Sequence, residues 1–252
     1  MSQQARLVHQ LSEWSEKSGA LVPPGSAVEA SLPKVWAASE FVAGTCLRDP
    51  AVLGDLVSSG SLERAFGPGD TGALLAGMLT EVSGEDELAS RLRRFRNQQM
   101  VRIIWRDICG WANLDETLED LSALADACIG QALEKHYEWL TASAGVPRNS
   151  ADEAQQMVVL GMGKLGAREL NLSSDIDLIF AFPDAGETDG RRALSNEQFF
   201  TRLGQKLNKS LNTQTADGFV FRVDMRLRPF GESGPLAASF DFMETYYQSQ
   251  AR

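Results

Sequence analysis

The fold of this chain is decided by Asp175-Ile-Asp-Leu-Ile-Phe-Ala-Phe182. Its apolar run from Ile176 to Phe182 predicts a buried strand, and side chains two residues apart project from the same face of a strand. Asp175 and Asp177 should therefore converge on one point, where they repel unless a cation such as Mg²⁺ neutralises them. The alternative is a polar strand end that carries two surface aspartates.

Strand and helix signals surround this stretch. Met157–Gly161 predicts a short buried strand, and Phe219–Arg228 predicts a third strand. Between them Ser195 should open a helix, because Gln198 stands at the capping-box spacing. The apolar stripe of that helix is Phe199, Leu203, Leu207 and Leu211. The order strand, loop, strand, helix, strand indicates an α+β domain.

The predicted third strand places alternating charges on one face, where Asp224 sits among Arg222, Arg226 and Arg228. If this strand lies beside the one that bears Asp175 and Asp177, three carboxylates can hold a pair of Mg²⁺ ions. Arg226 and Arg228 would then receive phosphate oxygens in the fork geometry that guanidinium favours. The combination predicts phosphoryl or nucleotidyl transfer.

Glycines follow the first strand in Gly161-Met-Gly-Lys-Leu-Gly166, which fits a dinucleotide fingerprint. A dinucleotide fold also needs a crossover helix and a parallel strand, and residues 167–172 offer at most a turn or two. The favoured interpretation is that these glycines let backbone amides approach phosphates. The candidate nucleotide- or phosphate-binding residues are Gly161, Gly163, Lys164, Gly166, Ser173, Ser174, Arg226 and Arg228.

The first part of the chain has helical periodicity. We predict helices at Lys34–Leu47 and Ala51–Ser58, one or two helices between residues 86 and about 109, and a long helix from Leu114. The basic run from residue 88 to 107 is interpreted as a solvated helix face, with a ligand-facing or domain-facing role as the alternative. Turn-forming residues at 144–151 place a domain boundary near residue 150, between a helical region 1–150 and a catalytic domain 151–252.

Composition restricts the function. The chain has 252 residues and a formal net charge of −10, which disfavours generic nucleic-acid binding. Cys46, Cys109 and Cys128 are spaced as free thiols of a reducing compartment. No stretch approaches the roughly 20 apolar residues of a membrane span, so we expect a cytoplasmic protein with no membrane partner. The two histidines, His9 and His136, are expected to be surface or helix-packing residues.

A family resemblance rests on three segments. Gly161–Gly166, Glu169–Phe180 and Phe221–Leu236 closely resemble the bacterial glutamine synthetase adenylyltransferase/adenylyl-removing enzymes, and the helical region is similar at Leu92–Arg96 and Leu118–Cys128. The resemblance implies two nucleotidyltransferase domains of the DNA polymerase β type in one long chain, each with a small mixed sheet and helices on one face. In such enzymes the amino-terminal domain removes AMP from a tyrosine of glutamine synthetase by phosphorolysis, giving ADP, and the carboxy-terminal domain adds AMP from ATP.

The residues of these motifs resemble those of the amino-terminal, AMP-removing half of the family more closely than those of the other half. We therefore expect the chain to be an amino-terminal fragment. By resemblance, Asp175, Asp177 and Asp224 are the catalytic metal ligands. Mg²⁺, ATP or ADP and phosphate are the implied cofactors and substrates, glutamine synthetase is the implied protein substrate, and the PII protein and glutamine are the implied regulators. Two alternatives remain open: a small-molecule nucleotidyltransferase, and a non-catalytic domain that docks a partner through its helices.

Overall fold

The computed structural model of the chain describes residues 3–18 and 21–250. Its contacts group the chain into two compact units, Met1–Thr71 with Arg94–Leu124, and Gly72–Arg93 with Ala125–Arg252. Each unit combines two separate segments of the chain. The predicted domain boundary near residue 150 stays a prediction. Two long helices contribute residues to both units.

Helices dominate the first part of the chain. They are α1 Gln3–Ser18, α2 Ala27–Ala38, α3 Glu40–Arg48, α4 Ala51–Ser58, α5 Asp70–Met78, α6 Glu85–Cys109 and α7 Leu114–Ala144. The predicted helices at 51–58, 86–109 and from Leu114 are confirmed, and the second is a single helix. The predicted helix at Lys34–Leu47 is wrong, because Ser39 interrupts it by accepting a hydrogen bond from the backbone N–H of Val42 and so capping α3. No helix in the described part of the chain combines the length and the apolar character that crossing a bilayer requires.

The strands belong to the second unit. The remaining elements are β1 Pro147–Asn149, β2 Val158–Met162, α8 Gly163–Gly166, β3 Ile176–Phe182, β4 Gly186–Thr188, α9 Asn196–Asn212, β5 Val223–Asp224, β6 Ala237–Ser239 and α10 Phe240–Gln250. β3 is the central strand of a mixed sheet, antiparallel to β2 and parallel to both β5 and β6. β1 and β4 form a separate antiparallel pair. The expected α+β class with a small mixed sheet is therefore confirmed.

Helix α9 packs its apolar stripe as the sequence predicts. Ser195 forms the capping box with Gln198, and Phe199, Leu203, Leu207 and Leu211 are each fully buried. Phe200 stacks on Phe182 of the central strand with ring centroids 4.9 Å apart. This contact packs α9 against the central strand of the sheet.

Two strand predictions need correction. The first strand is not buried: Val158, Leu160 and Met162 are each more than a third exposed, because β2 lies at the edge of its sheet with one face open. The third strand is only Val223–Asp224 instead of Phe219–Arg228. It ends early because the Asp224 carboxylate accepts the backbone N–H of Arg226 at 2.8 Å, which turns the chain.

The basic run of α6 does not form a solvated face throughout. Arg102 and Arg106 are 1% and 2% exposed, and they pair with Asp120 at 2.6 Å and Glu116 at 2.7 Å in the first unit. Arg102 also donates to the carbonyl oxygens of Ser61 and Arg64. Charged side chains at these positions therefore hold the helices together, which periodicity alone does not reveal.

Candidate active site

The central pair of the site is formed by strand register. Asp177 of β3 lies directly opposite Asp224 of β5 in a parallel pair, so both side chains project from the same face of the sheet. The sequence analysis predicted that the strands bearing Asp177 and Asp224 lie side by side, and the observed register brings the two carboxylates together. Asp175 lies just before β3, two residues from Asp177.

A single helical turn packs against Asp177. Gly163 begins α8 with φ of 54°, and a Cβ atom at this position would lie 2.6 Å from Oδ2 of Asp177. Gly166 is equally constrained, since its Cβ would lie 2.5 Å from the carbonyl oxygen of Gly161. The glycine motif is therefore explained by close packing against a carboxylate and a backbone. The dinucleotide alternative fails because β2 and β3 run antiparallel.

The Asp177 carboxyl group has a raised pKa. Its partial burial is the main cause, and the nearby negative charges of Asp224 and Asp175 add to it, while Arg226 opposes it. A carboxyl pKa that is raised by neighbouring acids marks a place where negative charge is concentrated. A cation bound here would relieve that repulsion.

Asp224 has the opposite perturbation. Its pKa is lowered, first because the side chain of Arg226 donates to it and then because the backbone N–H of Arg226 does so. The Arg226 guanidinium reaches both carboxylate oxygens, with Nε at 3.0 Å from Oδ1 and 2.9 Å from Oδ2. The side chain of Arg226 is nevertheless 72% exposed, so this contact can exchange with solvent or ligand.

The loop before β3 is organised by Asn171, which the sequence analysis did not single out. Its side-chain oxygen accepts the backbone N–H of Ser173 at 3.2 Å and the hydroxyl of Ser174 at 2.7 Å. Lys164 donates to the same Ser174 hydroxyl at 3.4 Å, which joins the glycine turn to this loop. An Asn followed two and three residues later by Ser is an Asx-turn signal that could have identified it.

Two further arginines have defined partners. Arg222 pairs with the Asp175 carboxylate and donates to the carbonyl oxygen of Ser173 at 2.6 Å. Arg228 donates to the carbonyl oxygens of Met225 at 2.8 Å and Glu232 at 3.2 Å, so it braces the loop after β5. The predicted common face of Arg222, Asp224, Arg226 and Arg228 is therefore wrong, because the strand ends at Asp224.

The carboxylates suit a divalent cation in chemistry. Asp177 is partly desolvated beside two other acids, and carboxylate oxygens are the ligands that Mg²⁺ prefers. Within residues 3–18 and 21–250, however, no group of three His, Cys, Asp or Glu side chains converges as a metal cluster. Arg222 and Arg226 instead neutralise the two outer aspartates, so metal binding would require at least Arg226 to move aside.

A mixed sheet whose adjacent strands carry paired aspartates, next to a glycine turn, is the arrangement of a nucleotidyltransferase, and the family comparison gives the same class. The model of the glutamate-ammonia ligase adenylyltransferase family matches residues 29–252. The chain belongs to this family.

Individual relatives agree with this assignment. The chain is similar to the bifunctional glutamine synthetase adenylyltransferase/adenylyl-removing enzymes of Nitrosococcus oceani, with 57% identity over 86% of this chain, and Pseudomonas aeruginosa, with 57% identity over 87%. The corresponding enzyme of Shewanella oneidensis is 47% identical over 95% of this chain. The matches cover 23%, 22% and 25% of those three proteins, so the chain spans about a quarter of the length of its relatives.

Proposed function

We propose that this chain carries an adenylyl-removing site, which transfers AMP from an adenylylated tyrosine of glutamine synthetase to inorganic phosphate and releases ADP. The observation that carries the proposal is the register of Asp177 opposite Asp224 beside Gly163. The names of the relatives, which combine adenylyl transfer and adenylyl removal on glutamine synthetase, support the substrate.

Asp175, Asp177 and Asp224 are proposed as the ligands of Mg²⁺, in a site for one or two ions. When bound, Mg²⁺ would supply positive charge to the attacking and leaving oxygens of an in-line displacement. Asp177 would contribute the most, because among the described residues its carboxylate is the one of the three that forms no ion pair with an arginine. Gly163 keeps the space beside that carboxylate open.

The arginines are proposed to decide the direction of the reaction. Arg226 is mostly exposed and would leave Asp224 to receive a phosphate dianion, which guanidinium binds better than a neutral tyrosine hydroxyl. A phosphate oxygen would attack the phosphorus of the tyrosyl-AMP ester, forming the new P–O bond of ADP. The bond to the tyrosine oxygen would break, and the tyrosinate would take a proton from water.

The remaining candidates are assigned to the nucleotide and its phosphates: Gly161, Gly163, Lys164, Gly166, Ser173, Ser174 and, with a mainly bracing role, Arg228. Residues 151–252 would form the catalytic domain after a helical region 1–150. We also propose a cytoplasmic location, on the composition of the chain, and regulation by PII and glutamine, on the family resemblance alone.

Incubation of the protein with adenylylated glutamine synthetase, phosphate and Mg²⁺ tests the proposal, with ADP as the measured product. We expect ADP from the wild type and none above background from Asp177→Asn. Asp241→Asn, an exposed change on α10 in the same unit, is the matched control and should keep full activity. Equal ADP formation by Asp177→Asn and the control would refute the assigned site.

A further inference from the structure

A cavity lies in the sheet-containing unit, between the beginning of α6 and the end of α9. Its volume is about 230 Å³, and its lining includes Arg93 and Asp86 of α6, Lys209 and Ser210 of α9, and Thr215 beyond it. None of the aspartates, glycines or arginines assigned to the nucleotidyl-transfer site lines this cavity.

Arg93 is the unusual residue of this cavity. It is 9% exposed, its Nε atom is buried without a hydrogen-bond partner, and it forms no ion pair among the described residues. Arg102 and Arg106, on the same helix and also buried, each have a carboxylate and carbonyl oxygens as partners. A buried Nε–H donor without an acceptor is unfavourable, and a bound anion is one group that would satisfy it.

The charge around the cavity favours a small anion. Glu85, a lining residue, is already paired with Lys206, so the unpaired charges are positive on Arg93 and Lys209 and negative on Asp86. Two positive charges minus one negative charge leave an excess of one. The hydroxyls of Ser210 and Thr215 are already hydrogen-bonded to His136 and to the carbonyl oxygen of Gly218, so the two cations would provide the main attraction.

We propose that this cavity binds a small oxyanion, phosphate or carboxylate, through the guanidinium of Arg93 with help from Lys209. A guanidinium presents two parallel N–H groups that match either oxyanion. The site is built on the same helix end that supports the catalytic strand: Leu211 accepts the backbone N–H groups of Val220 and Phe221, and Asn212 accepts that of Val223. An occupant would therefore stabilise the segment that leads to Asp224.

Titration with inorganic phosphate, without Mg²⁺ and against KCl at equal ionic strength, tests this site by calorimetry and thermal unfolding. We expect saturable stabilisation of the wild type, by mass action on the folded state. Arg93→Met should weaken phosphate binding about tenfold or more, the usual loss for a charge-assisted hydrogen bond. Acetate in a parallel titration shows whether a carboxylate serves as well as a phosphate, and Arg93-dependent binding of either one supports the proposal.

Three variants complete the design. Arg91→Met, two residues earlier on α6 with its guanidinium already bound to Met78 and Glu87, should leave phosphate affinity unchanged. In Arg226→Ala the phosphate binding that depends on Arg93 should persist, which separates the cavity from the proposed reaction site. Lys209→Gln alters only an exposed side chain and should weaken binding severalfold even if Arg93→Met folds poorly.

An alternative explanation is that Arg93 simply faces the carbonyl end of α9 and stabilises the fold without a ligand. In that case Arg93→Met would lower the melting temperature and no anion would stabilise the wild type in an Arg93-dependent way. The proposal predicts instead that Arg93→Met melts at the same or a higher temperature without anions, because an unpaired buried charge is removed. Unchanged phosphate affinity in both Arg93→Met and Lys209→Gln would also overturn it.

Discussion

The charged carboxylate of Asp177 destabilises the folded chain, and the same carboxylate is proposed to bind Mg²⁺. Its pKa is raised by partial burial and by neighbouring acids, so the folded chain holds a proton on this carboxyl more tightly than the unfolded chain does. The charged form therefore lowers the free energy of unfolding at neutral pH. This cost is removed as the pH falls through the raised pKa toward the ordinary value of 3.8.

Replacing Asp177 by Asn should expose this cost. Without Mg²⁺ at neutral pH, we expect the melting temperature to stay the same or to rise by up to about 2 °C, equivalent to roughly 0.5 kcal/mol. The difference from the wild type should shrink on acidification, since the wild-type carboxyl then becomes neutral too. A strongly lowered melting temperature for Asp177→Asn would show that the carboxylate is structural.

Replacing Arg226 and replacing Arg228 should have different effects, the first on phosphate binding and the second on stability. Arg226→Ala removes the exposed guanidinium proposed to receive phosphate, so the KM for phosphate should rise about ten- to a hundredfold, or roughly 1.5–3 kcal/mol. Arg228→Ala should lower stability by about 1–2 kcal/mol instead, because two carbonyl oxygens lose their donor. Steady-state phosphate titration and urea unfolding measure the two effects. An unchanged KM in Arg226→Ala would remove this residue from phosphate binding.

At the scale of the elements, the sequence predicted α9 and β3 well and β5 poorly. The α9 signals are local, a capping box and an apolar stripe, and the structure keeps both. The β5 pattern of alternating charge looked like a long strand, but the side chain of Asp224 captures the backbone of Arg226 and ends the strand. Side-chain to backbone competition of this kind is not visible in periodicity.

The buried pair in the helical unit shows the same limit of sequence reasoning. Arg102 and Asp120 lie 2.6 Å apart, and desolvation lowers the pKa of the arginine and raises that of the aspartate. We expect Asp120→Ala to lower the free energy of unfolding by about 3–5 kcal/mol, because it leaves a buried cation without its carboxylate. Glu87→Ala breaks an exposed pair and should cost less than about 1 kcal/mol. Chemical denaturation compares them, and equal losses would contradict the account.

Helices α7 and α9 meet at His136, whose Nε2 lies 2.7 Å from the Ser210 hydroxyl oxygen. Burial lowers the pKa of His136 from 6.5 to about 4; Glu85 opposes this shift, and Lys206 and Lys209 add to it. The unfolded chain therefore takes up a proton between pH 6.5 and about 4 that the folded chain does not, so stability decreases as the pH is lowered through this range.

His136→Gln should remove this contribution. The slope of unfolding free energy against pH should decrease by up to about 1.4 kcal/mol per pH unit between pH 6.5 and 4, which corresponds to one proton. His9→Gln changes the other histidine, which is exposed on α1, and is the control whose slope is compared with that of the wild type. If both variants keep that slope, His136 is not the buried neutral histidine that the structure indicates.

At the scale of the whole molecule, the aspartate neighbourhood was predictable because strand alternation and sheet pairing are general rules. The ion pairs of Arg222 with Asp175 and of Arg226 with Asp224 were not predictable, because these contacts depend on where the loops turn. The division into two compact units was also hidden, because α6 and α7 each contribute to both. The chain matches about a quarter of each relative, which makes direct assay of this chain the decisive approach.

The central claim is that AMP leaves the tyrosine on inorganic phosphate. The most direct measurement uses adenylylated glutamine synthetase, Mg²⁺ and phosphate carrying a radioactive phosphorus label. We predict that the label appears in the β-phosphate of ADP, one labelled phosphate for each AMP removed, and that Asp177→Asn abolishes it. Release of unlabelled AMP, or transfer of AMP from ATP onto the tyrosine without any labelled ADP, would contradict the account.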